Sequence, residues 1–421
     1  MRTMYSLLPS YALLLSLGCS SFVELIDKTS PNFELSRKKN YCSKTSFQLI
    51  TDSPSLNDAY NKISSALSRP KPFDRFALLA LLHLYYSPHV ASPTSNFVFF
   101  SAKKGKWRYM AFDRHSSKLK YPFLVGLDSL SKLYKSRYRL TTLAALIDRH
   151  HSSLPGLSEQ STLFIQKNKD KLNKSQHFKH FYKKGDYLLQ SKESFKFQRL
   201  SAWMKKRIKT KKARPHKKRP HALMPYKNER IKKFNTQCNF DMKPYQNHPF
   251  PSPKSPLPGV QFMIEYRNEL FIGLLSQGPH LKLISKTPFF EGKEKSPLPH
   301  LCALFSKAKP KRPEVILSST DGLDPGQHLY NLLQHPIEQK KTPQEFDDLL
   351  SSPRHLFLYR HPSRLLFESD RASKGELENI LSLGLPIFHS MGLSQVVAVK
   401  TFDKERLLFA DDRHPMGLSC R

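Results

Sequence analysis

Cysteine is scarce in this chain of 421 residues. There are five, Cys19, Cys42, Cys238, Cys302 and Cys420, and none forms a C-x-x-C pair. That spacing argues against a structural zinc site of the ordinary kind. Acidic residues are also few, with 34 Asp and Glu facing 69 Lys and Arg, and the formal net charge is +35. Such a field attracts polyanions: nucleic acid, anionic lipid headgroups or lipopolysaccharide phosphates. Counterion release favours any dense row of phosphates, so charge does not rank them. Long apolar runs are missing as well. Leu7–Leu17 and Phe73–Tyr86 both fall short of the ~20 residues that cross a bilayer, and the second, which contains His83, reads as a buried helix.

Apolar and aromatic residues are plentiful, at 39% and 11% of the chain. A sizeable core is therefore expected, which excludes disorder throughout. Against this, 31 Pro and a mean hydropathy of -0.51 imply stretches outside any core.

The first 18 residues have the pattern of a bacterial signal peptide, with Arg2 ahead of the apolar run. The following Leu15-Ser16-Leu17-Gly18-Cys19 resembles a lipobox, the recognition sequence of bacterial lipoproteins. Gly18 is small, as cleavage needs, and Cys19 supplies the thiol that accepts the lipid; Ser16 departs from the Leu usual there. The resemblance implies an envelope-anchored protein, held by acyl chains worth roughly 0.8 kcal/mol per buried CH₂. Plain secretion, or a cytoplasmic protein with an apolar first helix, are the alternative readings. Once Cys19 is lipidated, four cysteines remain, and an oxidising compartment permits two disulfides in any of three pairings.

The expected fold is mixed α/β, in two globular regions separated by a basic, proline-rich insertion. Residues 19–60 read as a polar tether, and 61–165 as the first region. That region holds the apolar helix, a hairpin turning at Lys103-Lys104-Gly105-Lys106, and one long amphipathic helix from near Leu127. Residues 166–243 form a basic block, helical or disordered. Between Lys167 and Lys233 stand 24 Lys or Arg against four acids, +20 of the total charge. Six prolines over 244–258 mark a stiff linker. The second region, 259–421, alternates strand-like runs with two capping boxes, Thr342-Pro343-Gln344-Glu345 and Ser373-Lys374-Gly375-Glu376. Phe97–His115 and Val396–His414 both read strand, turn, strand, Asp-Arg-His, a likeness short enough to be coincidence.

Four leads bear on chemistry. The first is a polyanion-binding run: Lys205, Lys206, Arg207, Lys209, Lys211, Lys212, Arg214, Lys217, Lys218 and Arg219. Interleaved Trp203, Tyr226 and Phe234 are placed to stack on bases. The run also has the look of a nuclear-import signal, which would suit a protein delivered into a host cell. The plainer reading lays it against anionic membrane lipid, at ~1 kcal/mol per cation. Second, Gly384-Leu385-Pro386-Ile387, Val396–Val399 and Phe409-Ala410-Asp411-Asp412 resemble the end of papain-like peptidases of the bacteriocin-processing type. That resemblance implies Cys302 as nucleophile and Asp411 or Asp412 as the acid. Gln395 stands where the histidine base belongs, and its amide does not titrate; His389 lies six residues earlier. The implied domain is therefore catalytically degenerate. Third, Val315–Leu323 resembles the strand-to-loop metal motif of metal-dependent Ser/Thr phosphatases, with Asp321 as ligand and Phe112-Asp113-Arg114-His115 as a fainter second motif. Arg114 replaces the glycine needed there, and Asp321-Gly322 reads equally as a turn. Last, His115, His150, His151, His177, His180, His216 and His221 lie among cations, so no metal or cofactor is expected. The reading is a non-enzymatic envelope lipoprotein, in the outer membrane if the cell is Gram-negative, with a nucleic-acid binder or delivered effector as the alternative.

Overall fold

Strand Asn96–Lys103 shows how the architecture grows from the sequence. Its first seven residues are all buried, and successive side chains of a strand point to opposite faces. Phe97 and Phe99 join a core shared with helices; Val98, Phe100 and Ala102 join one shared with a second sheet. A strand covered on both sides therefore reads as a continuous apolar run.

The structure is a computed structural model. It describes residues 40–420 apart from 43–45, 104, 115–118, 209–222, 227–232, 244–258, 278–280, 293–297, 309, 323, 359–363, 391–392, 404 and 414–415. The strands of the two main sheets are β1 Phe47–Thr51, β2 Asn96–Lys103, β3 Lys106–Phe112, β4 Met224–Tyr226, β5 Phe234–Cys238, β6 Gly259–Tyr266, β7 Glu269–Ser276, β8 His300–Ser306, β9 Pro313–Gly322, β10 Ser394–Phe402, β11 Glu405–Phe409 and β12 Gly417–Cys420. One sheet runs β12-β1-β6-β7-β2-β3 and the other β11-β10-β9-β8-β5-β4, with antiparallel pairing throughout. The helices are α1 Pro54–Ser64, α2 Pro72–Tyr86, α3 Pro122–Leu133, α4 Leu140–Arg149, α5 Glu159–Lys167, α6 Gln176–Tyr182, α7 Leu200–Ile208, α8 Pro325–Leu333, α9 Pro343–Ser351 and α10 Lys374–Leu381.

Three apolar layers order these elements. Helices α1 to α7 cover the outer face of the first sheet, around Phe76, Phe99, Phe262 and Phe271. The sheets meet through Phe100, Met263, Ile272, Ala303, Ile316 and Val399. Helices α8 and α9 cover the second sheet, around Leu304, Leu317, Leu329 and Phe346. The chain is thus mixed α+β in four layers, helix–sheet–sheet–helix.

Several expectations are corrected in detail. The tether over 19–60 does not extend as far as Phe47: β1 is wholly buried and pairs with β12 on one side and β6 on the other. The boundary between 61–165 and 259–421 is not one in the hydrogen bonding, because β2 pairs with β7 residue for residue from Asn96↔Ser276 to Lys103↔Glu269. The long amphipathic helix is two helices, α3 and α4. Lys135, at φ 49°, occupies the left-handed position that closes a helix and that usually falls to glycine. The expected turn Asp321-Gly322 lies in β9 and pairs with Gln395 and Ser394.

Other local readings match what is seen. The hairpin turns with Gly105 at φ 78°, and Gly384 at φ 65° follows α10. Both capping boxes form, Thr342 with Glu345 and Ser373 with Glu376. The two hairpins of the weak repeat fall in different sheets. Residues 1–39, including the signal pattern and Cys19, lie outside the described residues, as do the linker 244–258 and most of the basic run. No helix among the described residues is long and apolar enough to cross a membrane.

Candidate functional site

The apolar layer between the sheets turns polar at one end, where β6 and β10 begin and β9 finishes. Gly259 opens β6 so close to β9 that a Cβ there would lie 2.2 Å from the Thr320 carbonyl oxygen; only glycine fits. Two residues on, the buried Gln261 bridges the sheets. Its Oε1 accepts from Ser318 Oγ at 3.0 Å, and its Nε2 donates to the Gln395 carbonyl at 3.3 Å. Ser319 Oγ and Ser394 Oγ are 2.7 Å apart, and all these groups are buried.

Beneath this seam lies a buried ion cluster. Asp411 accepts from Arg354 Nη1 at 2.7 Å, Arg413 Nη1 at 3.2 Å and the Val396 amide at 2.8 Å. Arg413 also grips Glu368, its Nε 2.8 Å from either carboxylate oxygen, and Glu368 accepts from the Leu393 and Arg354 amides at 3.0 Å. Burial alone would raise the Asp411 carboxyl, but the two arginines and two backbone amides hold it well below the usual carboxylate range. Glu368 is likewise lowered: burial would raise it, but Arg413, the Leu393 amide and Arg354 together prevail. His328 packs nearby, fully buried. Desolvation first, and then the Arg354 and Arg413 charges, push its pKa well down, so it stays neutral.

The cluster thus pairs Asp411 and Glu368 with arginine and keeps a neutral His328 beside them. Ser318 bonds to Gln261 and the Val397 carbonyl and Ser319 to Ser394, whereas the buried Thr320 hydroxyl has no hydrogen-bond partner among the described residues. A nucleophile needs a base within hydrogen-bond reach, and Ser318 and Ser319 are not bonded to one.

The sequence-predicted residues scatter. Cys302 is not a free thiol: it is bonded to Cys238, its partner across β5 and β8, which corrects its reading as a nucleophile. Asp411 belongs to the ion cluster, and Asp412 takes two bonds from Arg371 Nη1, at 2.8 and 2.9 Å. His389 meets Ser369 Oγ at 2.7 Å on the surface, away from Cys302, in the small sheet of 355–358, 364–367 and 387–389. Lys205 and Lys206 are exposed on α7, whereas Lys209 to Arg219 lie outside the described residues. Trp203 does not serve as a free stacking surface. It packs edge-on against Tyr121 at 5.8 Å and tilted against Phe289 at 5.9 Å. Tyr226 and Phe234 likewise lean on the second sheet's core.

Among the described residues no group of three or more His, Cys, Asp or Glu is placed to hold a metal. Arg354 was not legible from sequence, since 57 positions separate it from Asp411. The only local signal for the cluster was the Asp-Arg pair at 412–413, read as part of a repeat.

The second disulfide joins Cys42 to Cys420, tying the start of the described chain to the end of β12. Of the three pairings open to four cysteines, this is the one formed.

No protein-family model and no curated protein sequence matches this chain. Solved structures do. A cephalosporin acylase from Bacillus halodurans superposes with a TM-score of 0.62 at 10% identity, over 93% of this chain and 98% of its own. A protein named LmbA2991HD does so with a TM-score of 0.58 at 8% identity, over 90% and 99%. At such identities the likeness is one of fold: nearly the whole chain shares the helix–sheet–sheet–helix arrangement of these proteins.

Proposed function

We propose that this chain is an exported, envelope-anchored protein that uses an acylase-like fold without acylase chemistry. The observation that carries the export reading is the pair of disulfides, Cys42–Cys420 and Cys238–Cys302. Every cysteine beyond Cys19 is paired, and structural disulfides persist in oxidising compartments outside the cytoplasm. The signal-like first 18 residues supply the route and Cys19 the anchor.

The non-catalytic half of the reading is supported by the inter-sheet seam. Gln261, Ser318, Ser319 and Ser394 are bonded to one another and to backbone, and the carboxylates beneath are locked by Arg354 and Arg413. The degenerate papain-like alternative loses support, because its nucleophile is committed to a disulfide. The nucleic-acid and delivered-effector alternatives rest on the basic run alone.

A fusion of residues 1–39 ahead of alkaline phosphatase, an enzyme active only after export, tests the route. Phosphatase activity is expected, along with incorporation of labelled palmitate that disappears in Cys19→Ala. An inactive fusion contradicts export; an active one without palmitate contradicts only the anchor.

A further inference from the structure

A cavity of about 470 Å³ opens at the edge of the first sheet, between the start of α2 and the end of α3. That is within the size range of small-molecule sites. Its floor is aromatic. Phe73 stacks on Tyr134 at 5.2 Å, and Phe271 meets Tyr134 edge-on at 5.3 Å; Leu133, 43% exposed, forms the lip. Its rim is cationic, with Lys71, Lys103, Lys106, Arg108 and Lys135 facing the single carboxylate of Glu269.

The rim charges are arranged at a cost. Lys103 and Lys106 stand directly opposite in the β2–β3 pair, where like charges destabilise a sheet. Glu269, next to Lys103 across β2 and β7, forms an ion pair with it. Lys106, Arg108 and Lys135 have no carboxylate partner among the described residues. Lys135, in the left-handed position that closes α3, is set at the rim by the end of that helix. Lys71 Nζ donates to its carbonyl, fixing it at the rim. An anionic group would relieve three uncompensated cations, while the aromatic floor would take an apolar body.

We propose that this cavity binds an anionic amphiphile, a phosphate or carboxylate carried on an acyl or aryl body. The cavity shares no lining residue with the inter-sheet seam and does not depend on where the protein resides. Its test therefore leaves the export reading untouched.

Anilinonaphthalene sulfonate, an anion on an aromatic body, serves as the fluorescent probe on the full chain. One probe is expected per chain, displaced by dodecyl phosphate and not by inorganic phosphate at equal concentration. Lys106→Glu combined with Arg108→Glu, both at exposed positions, should weaken the probe at least tenfold. The same double variant should leave the neutral phenylnaphthylamine within twofold. Reversing Lys169 and Lys184, elsewhere on the basic surface, should change neither. Unaltered probe affinity in the double variant overturns the proposal. So does displacement by inorganic phosphate as readily as by dodecyl phosphate, or an equal loss of phenylnaphthylamine.

Discussion

Two buried histidines make the stability of the helical layer depend on pH in a calculable way. His83, on α2, stacks on Phe262 at 4.5 Å, and burial lowers its pKa to about 4 despite the bond to the Leu79 carbonyl. Asp52 Oδ2, 3.8 Å from Nε2, favours the cation, but the apolar surroundings outweigh it. His89 stacks on Phe164 with Nδ1 2.8 Å from Ser161 Oγ, and burial lowers its pKa to about 3. Both are therefore neutral when folded and titrate near 6.5 when unfolded. The stability they secure is complete above that value and is lost as pH falls toward the folded one. Each loses about 1.4 kcal/mol per pH unit below 6.5, hence about 2 kcal/mol at pH 5. Other groups titrate in the opposite sense. Asp347 is raised to about 6 and Glu265 to about 7, in each case chiefly by burial, so the wild-type slope alone is uninformative. The quantity to read is the change in unfolding free energy between pH 7 and pH 5, from urea titrations of wild type, His83→Gln and His89→Gln. Each variant should shrink the acid loss by about 2 kcal/mol, and the double variant by about 4. A variant with the wild-type pH dependence would show that its histidine is already charged, or hydrated, in the native protein.

Other perturbations have equally definite outcomes. Asp411→Asn leaves Arg354 buried against a neutral partner, and should cost about 3–5 kcal/mol in denaturant unfolding; an unchanged midpoint would mean that water enters the cluster. Gly259→Ala drives a methyl into the Thr320 carbonyl oxygen at 2.2 Å, a backbone atom that cannot rotate away, and should cost about 1–3 kcal/mol. Gly105→Ala, which meets nothing within 4 Å but sits at φ 78°, should cost about 1 kcal/mol. Equal thermal shifts for the two glycines would contradict the close approach of β6 and β9.

What could be read from the sequence was what is encoded locally. The capping boxes at Thr342 and Ser373 involve residues three apart, and the hairpin of β2 and β3 is carried by its own turn. Strands β6, β7, β9 and β10 announce themselves through apolar runs, because both faces of each sheet are covered. The pairing of these strands was not legible. β1, five residues in a polar stretch, gains its place only by lying between β12 and β6, one of them almost the whole chain away. The break at Lys135 carries no sequence signal, because lysine is not the residue that usually takes the left-handed position. The ion cluster draws Arg354, Glu368, Asp411 and Arg413 from separate elements, and only the folded chain places them together. The disulfide of Cys302 is hidden for the same reason: its partner Cys238 is adjacent across the sheet but 64 positions away.

An exported protein should carry its four cysteines joined in two specific pairs in the cell. Cells rapidly acidified and alkylated, followed by peptide mapping without reduction, would read this directly. Cys42 linked to Cys420 and Cys238 linked to Cys302 are expected, with no alkylated fraction in the mature protein. Four alkylated thiols in freshly trapped cells would contradict this and place the working protein in a reducing compartment.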